Sequence, residues 1–195
     1  MGIETKPQGP QSFQDIMRAR GVDVEGAQRR REMEESGCGV RTLESLLGVR
    51  ATDQEWDLRL SEIRRSESGR SLQDLVDHLP SEASDQQRYA AAKTYVDNNL
   101  FLTDFRRQVA AHDTPLGSAL RKADIRNAFK TVNEIEEMIN SGQKVAAVCR
   151  IDGTPHIAHI DKVDGRLVMK SDGGIPFVPG AHEGKTAVLV VSPKK

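Results

Sequence analysis

An α+β fold is predicted by three observations. Apolar residues recur at helical spacing from Val40 to Ile139, and the pattern then changes to short apolar runs from Lys144 onward. Asp164-Gly165 divides two of those runs as a tight hairpin turn. Helices first and a small antiparallel sheet after them is an α+β arrangement.

The opening residues, 1 to about 12, are rich in Pro, Gly and Gln and offer little apolar surface to offset the entropy of ordering them. Phe13, Ile16 and Met17 begin a short helix that Gly21 ends, and Gln28 to Glu35 (QRRREMEE) is a charged, solvated approach to Cys38. Residues 1–30 are therefore expected to form a disordered or weakly helical tail, and residues 31–195 the folded domain. In Ser36-Gly37-Cys38-Gly39, a flexible pair leads into a cysteine. Val40, Leu43, Leu46 and Leu47 then give an amphipathic helix that Gly48 stops.

Thr52 and Asp53 cap a second helix carrying Trp56, Leu60 and Ile63 on one face. Ser71 and Asp74 open a third, with Leu72, Leu75, Val76 and Leu79, stopped by Pro80. Tyr89, Ala92 and Val96 mark another helix over residues 83–97, and Phe101, Phe105 and Val109 one more. Leu116, Leu120 and Ile125 are expected to share the next, and VNEIEEMI (Val132 to Ile139) forms the last before Asn140-Ser141-Gly142. The sheet should comprise KVAAVCRI (Lys144 to Ile151), a hairpin of His156 to Val163 with Arg166 to Ser171, and TAVLVV (Thr186 to Val191). Asp172-Gly173-Gly174 breaks the strand pattern after the hairpin.

Lys and Arg number 28 against 29 Asp and Glu, so no global field draws the chain to nucleic acid or an anionic membrane. Two cysteines, Cys38 and Cys149, cannot staple a secreted scaffold or supply a structural zinc site. No apolar run approaches the roughly 18 residues that span a bilayer, and the first residues lack the apolar core of a cleavable signal. The expected location is the cytoplasm, or outside it by a route that uses no such signal.

Chemistry points to Cys38. At a helix N-terminus, unpaired backbone N–H groups and the helix dipole favour a thiolate. A thiolate nucleophile needs a base and a group that orients the base. Of five histidines, His78 lies beside a helix-ending proline, His112 in a polar loop and His182 in a Gly-rich loop. His156 and His159 lie on the first hairpin strand, and Asp172 follows the second. Taken alone, these residues also fit a structural strand histidine and an aspartate of a turn. The register leaves two pairings open. A two-residue turn at Asp164-Gly165 puts Asp172 on the face of His159, whereas a three-residue turn sets it opposite His156.

The spacing Cys-Gly-x-x-x-Leu-x-x-Leu-Leu-Gly from Cys38 to Gly48 resembles the nucleophile helix of papain-like cysteine peptidases. It is especially similar to the bacteriocin-processing, double-glycine-leader peptidases and their stand-alone relatives. Gly69-Arg70-Ser71-Leu72-Gln73-Asp74-Leu75 looks like that family's second helical landmark, and Ile135 to Val148 like the helix, turn and strand that lead to its histidine. Pro155-His156-Ile157-Ala158 stands at the histidine-led strand, and Asp172-Gly173-Gly174 at the family's aspartate-proline turn, here with Gly173 for the proline. The wide separation of Cys38 from His156 is also similar to that in YopT-like effector proteases of bacterial pathogens.

The resemblance implies a papain-like fold with Cys38 as nucleophile, His156 as base and then acid, and Asp172 orienting His156. The partner would be a protein or peptide substrate and no cofactor or metal would be needed. The family's oxyanion glutamine precedes the cysteine at the position Glu32 holds here, leaving Gln28 as the nearest substitute. Deamidation of a glutamine side chain by the same chemistry, or a degenerate domain that only docks a peptide, are the alternative functions.

Overall fold

The computed structural model describes residues 21, 23–65, 80–151, 154–180 and 184–194. The expected helices at Phe13–Met17 and Ser71–Leu79, the run Gly69 to Leu75, and both His78 and His182 lie outside the described residues. The chain divides into two compact units, Met1–Ser36 and Gly37–Lys195. In the first, the charged run lies within one helix, α1 (Val24–Ser36), whose sequence VEGAQRRREMEES carries no apolar stripe.

The second unit begins with α2 (Cys38–Leu47). Val40, Leu43 and Leu46 form its buried stripe, and Gly48 ends it in the left-handed region with its N–H on Glu44 O. In α3 (Asp53–Arg65), Thr52 caps as expected: its Oγ1 accepts from Glu55 N–H while the Glu55 carboxylate accepts from Thr52 N–H. Trp56 and Leu60 are buried beneath it. Next come α4 (Asp85–Tyr95), a π turn at Val96–Leu100, α5 (Thr103–Val109) and α6 (Pro115–Lys122).

One expected helix is corrected here. Ile125 does not continue α6; the chain turns into a strand, β1 (Ala123–Lys130). The reason is non-local: all eight residues pair antiparallel with β6 (Thr186–Pro193), whose apolar TAVLVV supplies the burial that ADIRNAFK lacks. After α7 (Val132–Asn140), β2 (Lys144–Ile151), β3 (Thr154–Val163), β4 (Arg166–Met169) and the short β5 (Ile175–Pro176) complete one antiparallel sheet of six strands, in the order β1-β6-β2-β3-β4-β5.

Alternation along the strands makes two cores. Val145, Ala147 and Cys149 of β2, Ala158 and Ile160 of β3 and Val188 of β6 pack with Ile135 of α7. The intervening residues, among them Ile157 and His159, face the side on which α2 lies. The α+β class predicted from the sequence is what the described residues form.

Candidate active site

Two local facts set Cys38 at an open helix start. Gly37 caps α2 with no side-chain hydrogen bond, so the first-turn N–H groups keep their donor capacity. Gly39 lets the chain come close, since a Cβ there would lie 3.0 Å from Leu100 O and 2.9 Å from the Leu102 side chain. Leu102 is itself buried in the left-handed region (φ 52°), a conformation that costs a leucine about 1–2 kcal/mol. The segment after the π turn is thus wedged under the start of α2.

The partner surface comes from an interrupted ladder. β4 pairs with β3 only over Ile160–Val163, through the two-residue turn Asp164-Gly165 whose residues both have positive φ. Beyond Met169 the chain leaves the strand for a 3₁₀ turn, Lys170–Asp172, closed by Gly173 and by Gly174 N–H on Met169 O. The vacated edge of β3 still has groups to satisfy. Ile157 N–H donates to the Cys38 sulfur, Ile157 O accepts from Thr42 Oγ1 at 3.0 Å, and His159 N–H donates to Ser171 Oγ at 3.1 Å. Cys38 and Thr42, one turn apart on α2, thereby occupy the place a neighbouring strand would take.

That geometry resolves the register question. The turn has two residues, which by strict alternation favours His159, yet Asp172 meets His156. The 3₁₀ turn ends alternation before Asp172 is reached and swings its carboxylate across, so that His156 Nε2 donates to Asp172 Oδ1 at 2.9 Å. The other carboxylate oxygen accepts from Ser171 Oγ at 2.8 Å. With Nε2 committed to Asp172, Nδ1 is left for the hydrogen bond that His156 makes to Cys38. His159 turns to a different partner, with Nδ1 2.7 Å from Ser45 Oγ on α2.

Electrostatics follow from these contacts. Burial alone would raise the Cys38 thiol, but the hydrogen bond and charge of His156 and the N–H groups of Ile157 and Gly39 leave it below its ordinary value. Burial pulls His156 down, whereas Asp172 and the Cys38 sulfur push it up to about 9. Asp172 is held below the usual carboxylate range: burial opposes this, and the bonds from His156 and Ser171 and the charges of His156 and Arg41 outweigh it. Both shifts favour the thiolate–imidazolium form of the pair. Cys149 contrasts with Cys38, its buried thiol being driven up to about 12 by desolvation and by the neighbouring charges of Asp172 and Cys38. Burial lowers His159 to about 4, helped by the positive charges of Lys170 and Lys144, so this ring is neutral.

Cys38, His156 and Asp172 are brought together; His112 is not among them. Gln28 and Glu32 both fall on α1. Sequence reasoning missed Ser171, which couples Asp172 to the β3 backbone, and Thr42, which fastens α2 to β3. The one signal in the sequence was position, a hydroxyl next to Asp172 and another one helical turn after Cys38. A cleft of about 1490 Å³ passes between α4 and the sheet and reaches Tyr95, Phe101, Cys149 and Pro155, the residue before His156. A second cavity, of about 720 Å³, lies along β1 and β6 and contains none of the site residues. Among the described residues no group of three metal-ligating side chains occurs, and no helix is long and apolar enough to cross a membrane.

No protein-family model matches the chain, and no curated protein or solved structure is detectably similar to it.

Proposed function

We propose that the chain is a cysteine-dependent amide hydrolase of papain-like architecture, with a protein or peptide substrate. Support for this reading comes from one observation above all. Three residues from three separate elements converge in the order thiol, imidazole, carboxylate, with the thiol at a helix N-terminus.

In this reading the Cys38 thiolate attacks the carbonyl carbon of an amide. Negative charge moves to the carbonyl oxygen, where N–H groups of the first turn of α2 stabilise it. Imidazolium His156 gives its proton to the departing amine nitrogen, and the C–N bond breaks to leave a thioester on Cys38. Water then attacks the thioester, neutral His156 takes its proton, and the carboxylic acid leaves as the thiolate re-forms. Asp172 keeps the ring oriented and carries the countercharge of the imidazolium. The cycle uses no cofactor.

The test has two arms. Iodoacetamide labelling of the folded protein, followed across pH by peptide mapping, should show Cys38 reacting with a midpoint below the ~8.5 of a free cysteine and Cys149 not reacting. Incubation with a mixed peptide library should yield new termini that a Cys38→Ser protein does not produce. Conversion of glutamine to glutamate in place of new termini would reassign the substrate as a side-chain amide. A Cys38 midpoint at that of a free thiol, with neither product, would overturn the reading.

A further inference from the structure

None of the steps described above calls on Arg59, yet the surroundings of this residue are unusual. Arg59 lies on α3 and is 5% exposed, and among the described residues its guanidinium has two hydrogen bonds, both long: Nη1 to Glu62 Oε2 and Nη2 to Asn99 O, each 3.3 Å. Its Nε is the one buried side-chain nitrogen or oxygen among the described residues with no hydrogen-bond partner. Burying a cation so sparingly paired is costly, and an orphaned donor of this kind calls for an explanation.

Position supplies one. Asn99 O, which holds Nη2, is one peptide unit from Leu100 O, the carbonyl against which Gly39 packs. The guanidinium thus holds the segment on which the first turn of α2 packs, near enough for the Cys38 charge to act on it, and Tyr95 feels both charges. Glu62 offsets the cation only in part, because its carboxylate is shared with Gln108 Nε2 at 2.7 Å and is 22% exposed to water.

We propose that Arg59 is a fixed countercharge for the Cys38 centre, a positioning residue that acts through the buried field rather than by touching substrate. Its task is to stabilise negative charge on the sulfur and, during turnover, on the carbonyl oxygen bonded to the carbon under attack. The proposal rests on the amide-hydrolase reading. It explains why an expensive, under-bonded guanidinium is kept behind a nucleophile.

Two substitutions with opposite expected signs test it. The measurement is the pH midpoint of iodoacetamide labelling at Cys38, at low and high salt, with circular dichroism confirming the fold. His156 of β3, with Asp172 behind it, acts on Cys38, and the Cys38 charge is felt in turn at Tyr95 of α4, Arg59 of α3 and Cys149 of β2. Neither Tyr95 nor Cys149 changes charge between pH 5 and 8, so the window reports the remaining ones. Arg59→Met should raise the midpoint by about half a unit to one unit, roughly three- to tenfold less thiolate below it, and Arg59→Lys should restore most of the loss. Glu62→Gln keeps an acceptor oxygen for Arg59 Nη1 but removes the offsetting charge, and should lower the midpoint. It keeps the test decisive if Arg59→Met does not fold. A Glu62→Gln midpoint that stays put or rises would overturn the role of Arg59. If wild-type Cys38 itself titrates as an ordinary thiol, the amide-hydrolase reading fails first, which is a different result.

Discussion

The two halves of β3 differ in what completes them. From Ile160 to Val163 the strand is paired with β4, and at Ile160, where the two ladders meet, with β2 as well. From His156 to His159 it is paired by β2 alone, and its other edge is taken up by a sulfur and two hydroxyls from α2 and the 3₁₀ turn. The paired half does what backbone ladders do: it fixes register and buries Ile160 at 1% exposure. The vacated half trades ladder bonds for side-chain bonds, and that exchange brings a thiol, an imidazole and a carboxylate into one place. A sheet edge, ordinarily a hazard to be covered, becomes the frame of the candidate site.

The contrast between the halves breaks most sharply at His156. His156→Ala should slow Cys38 labelling at pH 6.5 by at least about tenfold, because the thiol loses the partner that holds it ionised. His159→Gln should change it less than about twofold. The reverse pattern would mean that the chemistry follows the strand's other face.

Acid stability separates the same two histidines. His159 is held at about 4 in the fold against 6.5 for the free side chain, so the unfolded chain binds the extra proton between those values. The stability in question is complete above about pH 6.5 and is lost as pH falls towards 4, on the order of 1–3 kcal/mol. Urea unfolding from pH 7 to 5 should show this slope in the wild type and a shallower one in His159→Gln. His156 runs the other way: its stabilisation is complete below 6.5 and is lost as pH rises through about 9. Cys38, lowered in the same pair, offsets that second slope in protons bound.

Smaller changes sharpen the contrast. Gly165→Ala in the paired half puts a side chain at φ 76°, at a cost of about 1–2 kcal/mol, and should leave Cys38 labelling untouched. Ser171→Ala in the vacated half should cost a similar amount, since His159 N–H loses its acceptor. Unlike Gly165→Ala, it should also slow labelling several-fold as Asp172 loosens. Thr42→Val is expected to cost about 1 kcal/mol through the unpaired Ile157 carbonyl. Equal labelling in Gly165→Ala and Ser171→Ala would erase the distinction between the halves.

What the sequence made legible was local. The helix after Cys38, its stop at Gly48, the capped α3 and the Asp-Gly turn all follow from residue type and spacing within a few positions. His156 could be preferred to His159 only through the family resemblance, because the turn that decides the matter depends on Lys170–Asp172 leaving the strand. β1 was unreadable for a related reason. Asp124, Asn127 and Ala128 are poor strand formers, and the strand exists because β6 lies beside it. Arg59 reads as a surface residue of an amphipathic helix, and only the packing around Asn99 shows it buried.

The strand order carries a consequence in time. β6 is synthesised after the other five strands yet lies between β1 and β2. The β2–β3–β4 meander can form from neighbouring segments, whereas β1 must wait for a partner more than fifty residues along the chain. A ribosome-bound chain can thus carry Cys38 and the meander for several seconds, at roughly 5–20 residues per second, before the sheet beneath them is whole. The β3 edge on which Cys38, His156 and Asp172 meet therefore gains the support of a complete sheet only once β6 has been made.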